Sequence, residues 1–381
     1  MMLEFHFKNH LKKENIDQTV AKFGFKNSVI VEKLFMDFEI LFHIQKLLPD
    51  GIVKGGVATL FHLQDDVLRR LSNDIDIVTS QSKSEVIEIM KKVTELLKGK
   101  IHIEQHIPKR AHDKVLPLLT YNCNYKSAVL DNQRIKIDIF YQQNMDDISV
   151  KYVNQDVILD FPIDFEVSIY ELSTLIGDKL TTLPRNTVGI QSDRERDIPK
   201  QIFDIASLIK KNNNDVSINV IAKTFKKIVK EEISYIQNNK PPFDDVLDDF
   251  DGFTKNLLMS DQQLKLNRSY EGQFNKFVNE MLGNHTYTKN MHITDILLID
   301  VIVKLLIKGF NGMSHKEMGE RLERMLRELK MIPNEDKSEI QKKNKNLTKG
   351  YRQKNPKYSG ISFNILEHAY LFNQIFEIEN A

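Results

Sequence analysis

Two aspartates stand one residue apart in the apolar stretch Asp74-Ile75-Asp76-Ile77-Val78. The β-branched residues favour a strand, and a strand has a period of two, so both carboxylates point to one face about 7 Å apart. Carboxylates at that spacing repel each other and resist burial. Bound divalent cations would offset that repulsion, so the stretch predicts a metal site.

A third carboxylate comes from the stretch 134–140, where three isoleucines alternate with other residues. Asp138 therefore shares the face opposite to the isoleucines with Lys136 and Phe140. Three carboxylates on adjacent strands form an oxygen-rich site for Mg²⁺, or for Mn²⁺ in its place. Two such ions about 3.5–4 Å apart can activate a nucleophile and stabilise a leaving pyrophosphate.

The adjacent glycines Gly55 and Gly56 lie between a predicted strand and a predicted helix. Glycines allow the backbone to approach a phosphate closely, and a helix N-terminus presents unpaired N–H groups to an anion. A tight turn needs the same residues, so the pair alone is weak support for a nucleotide site. A phosphate-binding turn, followed by two aspartates and later by a third, is the combination that a single active site for phosphate chemistry would need.

The elements around these residues define an α+β chain with a mixed sheet followed by a mostly helical region. Apolar spacing predicts a helix over 27–48, with Ser28 as its N-cap. The other predicted helices cover 82–99, 168–183, 196–211, 219–237, 296–307 and 363–378, and the predicted strands cover 100–107, 114–125 and 134–141. The stretch 238–252 is interpreted as a linker or cap, and the domain boundary is placed near residue 165.

Composition limits the classes of partner. The 381 residues are 41% hydrophobic and 28% charged, with a net charge of +1, so a nucleic-acid partner needs a local basic patch. The single Cys123 excludes a disulfide framework and a cysteine-rich zinc site. The segment 296–307 is too short and too charged for a membrane span. The N-terminal stretch has no signal-peptide pattern, and we expect a cytoplasmic protein without a membrane partner.

The stretches "KGGVATLF" and "RLSNDIDIVT" resemble the AbiEii/AbiGii family of the DNA polymerase β-like nucleotidyltransferase superfamily. The pattern of that family is close to KGGTAL followed by RxSxDIDL, and it includes type IV toxin–antitoxin toxins, abortive-infection proteins and the MenT toxins. Arg70 and Ser72 match the second motif together with both aspartates. "GDKLTTL" offers Lys179 for the lysine that the family carries on a helix, and "KQIFDIASL" offers Asp204 for its fourth motif.

The resemblance covers about residues 30–210. With the boundary near residue 165, we expect a nucleotidyltransferase domain over 1–165 and a helical domain over 166–381 that completes the NTP site and could bind the acceptor. The resemblance implies transfer of NMP from an NTP to a tRNA 3′ end or a protein hydroxyl, in a toxin with a cognate antitoxin. The metal ligands would be Asp74, Asp76 and Asp138, and Lys179 and Asp204 would join them in catalysis. The nucleotide would be bound by Gly55, Gly56, Arg70, Ser72 and Lys179.

The chain departs from the family pattern at two positions. Val57 stands where many members have Ser or Thr beside the phosphate. Gln201 stands where the first aspartate of the fourth motif is expected, and Asp197 compensates only if the helix register allows. Two further classes of function therefore stay open, an NTP-binding module without transfer activity and a helical partner-binding scaffold.

The site residues also have purely structural interpretations. Asp74 and Asp76 could be a strand-end pair on a solvated edge, and Asp138 could lie on the outward face of an amphipathic strand. Lys179 could be a solvated helix residue, and Ser72 could cap the turn before its strand. Arg70 either contacts phosphate or pairs with Asp74. Asp204 could pair with Lys179 or Arg196 in an ion pair.

A basic segment, 342–358, contains seven Lys or Arg residues and no acidic residue. Basic charge interleaved with tyrosines suits a nucleic-acid backbone and unstacked bases. The candidate nucleic-acid-binding residues are Lys349, Tyr351, Arg352 and Lys354. A solvated loop is the equally simple interpretation.

Overall fold

The computed structural model describes residues 5–63, 70–107, 115–146, 148–154, 156–190, 192–212, 214–259, 265–283, 287–332 and 366–379. The chain divides into two compact units. Unit 1 comprises Met1–Leu175, Ser234–Asn239 and Val278–His285, and unit 2 comprises Ile176–Ile233, Lys240–Phe277 and Thr286–Ala381.

Unit 1 is built around a mixed β-sheet. Its helices are α1 (Lys13–Phe23), α2 (Ser28–Leu47), α3 (Gly55–His62) and α4 (Lys83–Leu96). Its strands are β1 (Ile52–Lys54), β2 (Asp74–Val78), β3 (Ile101–His106), β4 (Leu118–Lys126), β5 (Asn132–Phe140), β6 (Val150–Val153), β7 (Asp156–Ile158), β8 (Phe161–Ile163) and β9 (Val167–Tyr170). In the described part of the chain, seven of them pair in the order β3-β4-β5-β2-β1-β9-β6, with β2–β5 and β1–β9 parallel.

The alternation of isoleucines in β2 and β5 decides which face of the sheet is covered. Ile75, Ile77, Ile135, Ile137 and Ile139 are fully buried. Helix α2 packs against β2 and β5, and α4 packs against α2 and β3. The polar residues of the same strands therefore lie on the opposite face, as the period of two requires.

Two helices of unit 1 begin at polar caps. The predicted N-cap of α2, Ser28, is wrong by one residue, because the Asn27 side chain accepts a hydrogen bond from the Val29 N–H at 3.1 Å. Helix α4 begins with a capping box in which Ser82 and Glu85 satisfy each other's backbone N–H groups. The helix predicted over 82–99 is confirmed, with its N-cap at Ser82 and its last helical residue at Leu96.

The residues just before β2 are held by a distant part of the chain that also belongs to unit 1. The Leu71 N–H donates to the Met281 carbonyl at 3.0 Å, and Arg70 forms a β-bridge with Leu282. The entry of the chain into β2 is therefore fixed by main-chain hydrogen bonds, and this fixes where the first aspartate stands.

Unit 2 consists mainly of helices. They are α5 (Leu172–Leu180), which begins in unit 1, α6 (Ile198–Lys211), α7 (Ile218–Tyr235), α8 (Phe243–Leu257), α9 (Arg268–Met281), α10 (Lys289–Phe310), α11 (His315–Met331) and α12 (Leu366–Glu379), with a short hairpin of β10 (Leu258–Met259) and β11 (Lys265–Leu266). Helices α7 and α9 end in unit 1. Helix α10 packs against α6, α8, α11 and α12. No helix among the described residues is long and apolar enough to cross a membrane.

Two of the predicted elements are corrected. The helix predicted over 168–183 begins only at Leu172, because Val167–Tyr170 form strand β9. The linker predicted over 238–252 contains most of α8. Pro242 stands at its N-cap, and Asp244 and Asp245 in its first turn complement the positive end of the helix dipole.

A buried hydrogen-bonded chain runs through unit 2. The Tyr287 hydroxyl donates to the Asp295 carboxylate at 2.6 Å, so its oxygen accepts from Nδ1 of His292 at 2.8 Å. Nε2 of His292 then accepts from the Tyr270 hydroxyl at 2.7 Å. Burial lowers the pKa of His292 to about 3, so the ring is neutral and carries its proton on Nδ1.

Candidate active site

The three predicted carboxylates lie on one face of two adjacent strands. Asp76 and Asp138 are direct register partners in the parallel pair β2–β5. Asp74 precedes Asp76 by two residues and so points to the same side, away from the isoleucines. The sheet therefore brings together the residues that the sequence singled out for their charge.

The carboxylate of Asp138 is held by two neighbours on the same face. Its Oδ1 accepts from the Thr120 hydroxyl at 2.7 Å, and its Oδ2 pairs with the ammonium group of Lys136. Thr120 is the register partner of Asp138 on β4, so the antiparallel pairing β4–β5 sets this contact. Asp138 has a fixed orientation as a result.

Asp76 is the most perturbed carboxylate of the face. Its pKa is raised to about 7, first by burial and then by the negative charges of Asp74 and Asp138, against the positive charges of Lys54 and Lys136. Lys54 is the register partner of Asp76 on β1, and its ammonium group lies 4.8 Å from the centre of the Phe140 ring. The face has more negative charge than its lysines neutralise, which is the electrostatic condition for binding a cation.

The paired glycines let other groups approach the turn closely. Gly55 has φ +67, and a Cβ built there would lie 2.2 Å from Oδ2 of Asp76. A Cβ on Gly56 would lie 2.3 Å from the Ser72 hydroxyl and 3.0 Å from a terminal nitrogen of Arg70. The turn, the aspartate strand and the residues before that strand are thus packed against one another without intervening side chains.

The glycine turn opens directly into α3. Lys54 occupies the N-cap position, and no side-chain capping hydrogen bond is found there within the described residues. Val57 in the first turn is fully buried, so it offers no hydroxyl to an anion. The backbone N–H groups at this helix end are therefore the donors that an anion would meet.

The two polar residues of the second motif are buried beside the turn. Arg70 is 5% exposed, and one guanidinium nitrogen donates to the Leu71 carbonyl at 2.8 Å. The Ser72 hydroxyl is fully buried and lies 3.5 Å from both the main-chain oxygen and Oδ1 of Asp74. Both residues therefore contact the approach to β2 as well as Gly56.

The types of donor atom suit a hard divalent cation, although the three carboxylates are not arranged as a complete metal site in this structure. Carboxylate oxygens are the preferred ligands of Mg²⁺, and three of them share this face with a deficit of positive charge. No group of three His, Cys, Asp or Glu side chains is arranged to hold a metal in the parts of the chain described. Oδ2 of Asp138, one of the candidate metal ligands, is paired with Lys136 in this structure.

The other two predicted catalytic residues lie in unit 2 and pair with each other. The Lys179 ammonium group donates to Oδ2 of Asp204 at 2.7 Å, and both side chains are almost fully buried. Of the ion pairs considered for Asp204, the structure forms the one with Lys179. A buried pair of this kind fixes the geometry of the lysine.

The fourth motif is altered as the sequence indicated. Among the described residues, Oε1 of Gln201 is buried without a hydrogen-bond partner. Asp197 instead pairs with Arg194 at 3.0 Å and with Lys200 at 3.2 Å. These contacts, and the adjacent positive charges, hold the pKa of Asp197 below its ordinary value despite burial.

One charged residue near the site was not identified from the sequence. Asp37 on α2 is fully buried, and neither carboxylate oxygen has a hydrogen-bond partner within the described part of the chain. Its pKa is raised well above the ordinary value, first by burial and next by the charge of Asp74. An aspartate within the apolar pattern of a helix was the available signal. Thr120 and Lys54 were also missed, since only strand pairing places them here.

The basic segment with Lys349, Tyr351, Arg352 and Lys354 lies outside the described residues. Its proposed contact with nucleic acid therefore stays a prediction from sequence.

Comparison with known proteins shows which family and which solved structure the chain is similar to. The family model described as "Nucleotidyl transferase AbiEii toxin, Type IV TA system" matches residues 39–287, which include the glycine turn, the three aspartates and the Lys179–Asp204 pair. A crystal structure of a presumed nucleotidyltransferase from H. pylori is 17% identical, with a TM-score of 0.37, and the match covers 74% of this chain and 97% of that chain. A comparison with curated proteins found no match.

Proposed function

Because the chain belongs to the AbiEii family of nucleotidyltransferase toxins of type IV toxin–antitoxin systems, we propose that it moves NMP from an NTP to an acceptor hydroxyl in a reaction that depends on a divalent metal. The acceptor that we propose is the 3′ end of a tRNA, with a protein hydroxyl as the competing outcome. One observation supports this most directly: Asp76 and Asp138 are register partners beside the glycine turn, with Asp74 on the same face.

The residues of unit 1 have distinct roles in this proposal. Asp74, Asp76 and Asp138 would hold Mg²⁺, which when bound neutralises phosphate charge and favours an ionised hydroxyl. The backbone N–H groups after Gly55 and Gly56 would hold the β- and γ-phosphates. Arg70 and Ser72 lie against Gly56 and would orient the same phosphates.

The reaction is an in-line displacement at the α-phosphorus. The acceptor oxygen forms the new P–O bond, and the bond to the bridging oxygen of the β-phosphate breaks and releases pyrophosphate. The proton of the hydroxyl passes to a carboxylate of the face or to water. The family resemblance adds Lys179, oriented by Asp204, as a positive charge for the triphosphate.

The test is transfer of label from each of four α-labelled NTPs in the presence of Mg²⁺ and either total RNA or total protein. We expect label in the RNA fraction, and a loss of about 10²-fold or more when Asp76 is replaced by Asn. Asp131→Asn is the matched control, because Asp131 is an exposed aspartate at the entry to β5. NTP binding without transfer to either fraction would favour a nucleotide-binding module instead.

The family also supports a cognate antitoxin as a partner. We propose that expression of the chain alone slows growth, and that co-expression of a neighbouring small reading frame restores it. Growth that is unaffected by the wild-type chain and by Asp76→Asn alike would contradict the toxin role.

A further inference from the structure

Lys136 stands within the carboxylate face, at a position that the metal-binding scheme does not use. It is the register partner of Asp74 across β2–β5, and it precedes Asp138 by two residues on β5. Its side chain therefore emerges on the same face as all three aspartates. Across the next strand its register partner is Asn122, which is also polar.

The contacts of Lys136 are those of a counter-cation. Its ammonium group pairs with Oδ2 of Asp138, and its positive charge also opposes the rise in the pKa of Asp76. The side chain is 46% exposed, whereas the carboxylate of Asp138 is 14% exposed. The lysine can thus leave by rotation of its flexible stem, while Asp138 stays anchored by Thr120.

A divalent cation held by Oδ2 of Asp138 would compete with this ammonium group for the same carboxylate oxygen. Each of the two cations would weaken the binding of the other, because each neutralises the negative charge that attracts the other. Once displaced, the ammonium group remains tethered at the edge of the site, where an incoming triphosphate would carry several negative charges. A lysine acts well in this setting as a mobile point charge.

Building on the proposed function, we propose that Lys136 is an internal counter-cation. Its ion pair with Asp138 would break when the metal binds, and its ammonium group would then bind the triphosphate of the NTP. In the metal-free protein it limits repulsion among the three aspartates. In the loaded protein it becomes a substrate-binding residue. The same side chain would therefore weaken metal binding and strengthen nucleotide binding.

The experiment measures two affinities in the full-length protein. Mn²⁺ binding without nucleotide is followed by calorimetry or by the loss of the free-ion EPR signal, and binding of each NTP is measured at saturating Mg²⁺. For Lys136→Met we expect Mn²⁺ to bind about tenfold more tightly, and the preferred NTP to bind about tenfold more weakly because a charge-assisted contact is lost. Lys91→Met is the matched control, since Lys91 pairs with Glu88 on the exposed side of α4.

The outcomes separate this inference from the function on which it rests. Wild-type protein that binds neither Mn²⁺ alone nor any NTP in the presence of Mg²⁺ overturns both. Wild-type protein that binds an NTP with Mg²⁺ but no Mn²⁺ without nucleotide overturns the inference alone. Wild-type protein that binds Mn²⁺ and NTP, with Lys136→Met indistinguishable from Lys91→Met, overturns the inference alone. If Lys136→Met does not fold, Lys136→Arg carries the test, because a guanidinium group holds a carboxylate more firmly. Mn²⁺ binding weaker than wild type then supports the inference, and unchanged binding overturns it.

Discussion

Replacing Gly55 by Ala tests whether the glycine turn and Asp76 form one site. The new methyl group would lie 2.2 Å from Oδ2 of Asp76, so the carboxylate must move by about 1 Å to reach an ordinary contact, and a misplacement of about 1 Å can cost about 10²-fold in rate. We therefore expect a loss of transfer activity of about that size.

The effect on stability should be much smaller than the effect on activity. Gly55 has φ +67, and an L-residue in that region costs about 1–2 kcal/mol. The lower entropy of the unfolded chain returns about 0.4–1 kcal/mol. The free energy of unfolding should thus fall by about 1 kcal/mol, which is small beside the roughly 5–15 kcal/mol by which natural domains are stable.

The assay compares urea unfolding and label transfer for the same preparations. Gly272→Ala is the control, because a Cβ there meets nothing within 4 Å among the described residues and the position is helical. We expect this control to keep full activity and to gain about 0.5–1 kcal/mol. Activity of Gly55→Ala within about threefold of wild type would refute the reasoning, since a displaced Asp76 must affect a site built on it.

Three further predictions concern buried charges. Because the pKa of Asp37 is raised in the folded protein, its contribution to stability is lost as the pH rises from about 3.9, the value in the unfolded chain, through the folded pKa. Asp37→Asn should therefore stabilise the protein more at pH 8 than at pH 5 in thermal melts. An equal gain at both pH values would contradict this. The pKa of His292 is lowered to about 3, so the pH dependence has the opposite sign: the contribution of His292 to stability should fall by about 1.4 kcal/mol per pH unit below about 6.5. The measurement is the difference in free energy of unfolding between wild type and His292→Gln, and an equal difference at pH 5 and pH 7 would argue against a neutral buried ring. Asp204→Asn should cost about 3–5 kcal/mol because it leaves Lys179 buried without its carboxylate, and a double variant with Lys179→Met should cost less than the sum of the two single variants in urea titrations.

Much of the site could be predicted from local patterns. Alternation of charged and β-branched residues correctly assigned both aspartate strands, and it also assigned the shared face of Asp74 and Asp76. Paired glycines after a short apolar run correctly indicated a strand, a turn and a helix. These features depend on neighbours in sequence, so period and composition contain the information.

The features that were missed depend on distant or context-dependent contacts. Strand β9 has four consecutive buried residues, and such a run cannot be told from a buried helix by periodicity. Helix α8 was not predicted because two prolines and several aspartates are typical of a linker. Its inner face is nevertheless apolar, with Val246 and Phe250 fully buried. The pairing of Thr120 with Asp138 follows from strand order, which no local pattern specifies.

If Asp76 and Asp138 form the active site as proposed, the parallel pairing of β2 with β5 also determines how much of the chain must be made before activity appears. The two central carboxylates are separated by about sixty residues of intervening sequence, and contacts of such long range form late. A nascent chain on the ribosome that has not yet released β5 lacks Asp138, the third aspartate of the proposed metal site. Truncated products that end before that strand should accordingly be harmless to the cell that makes them.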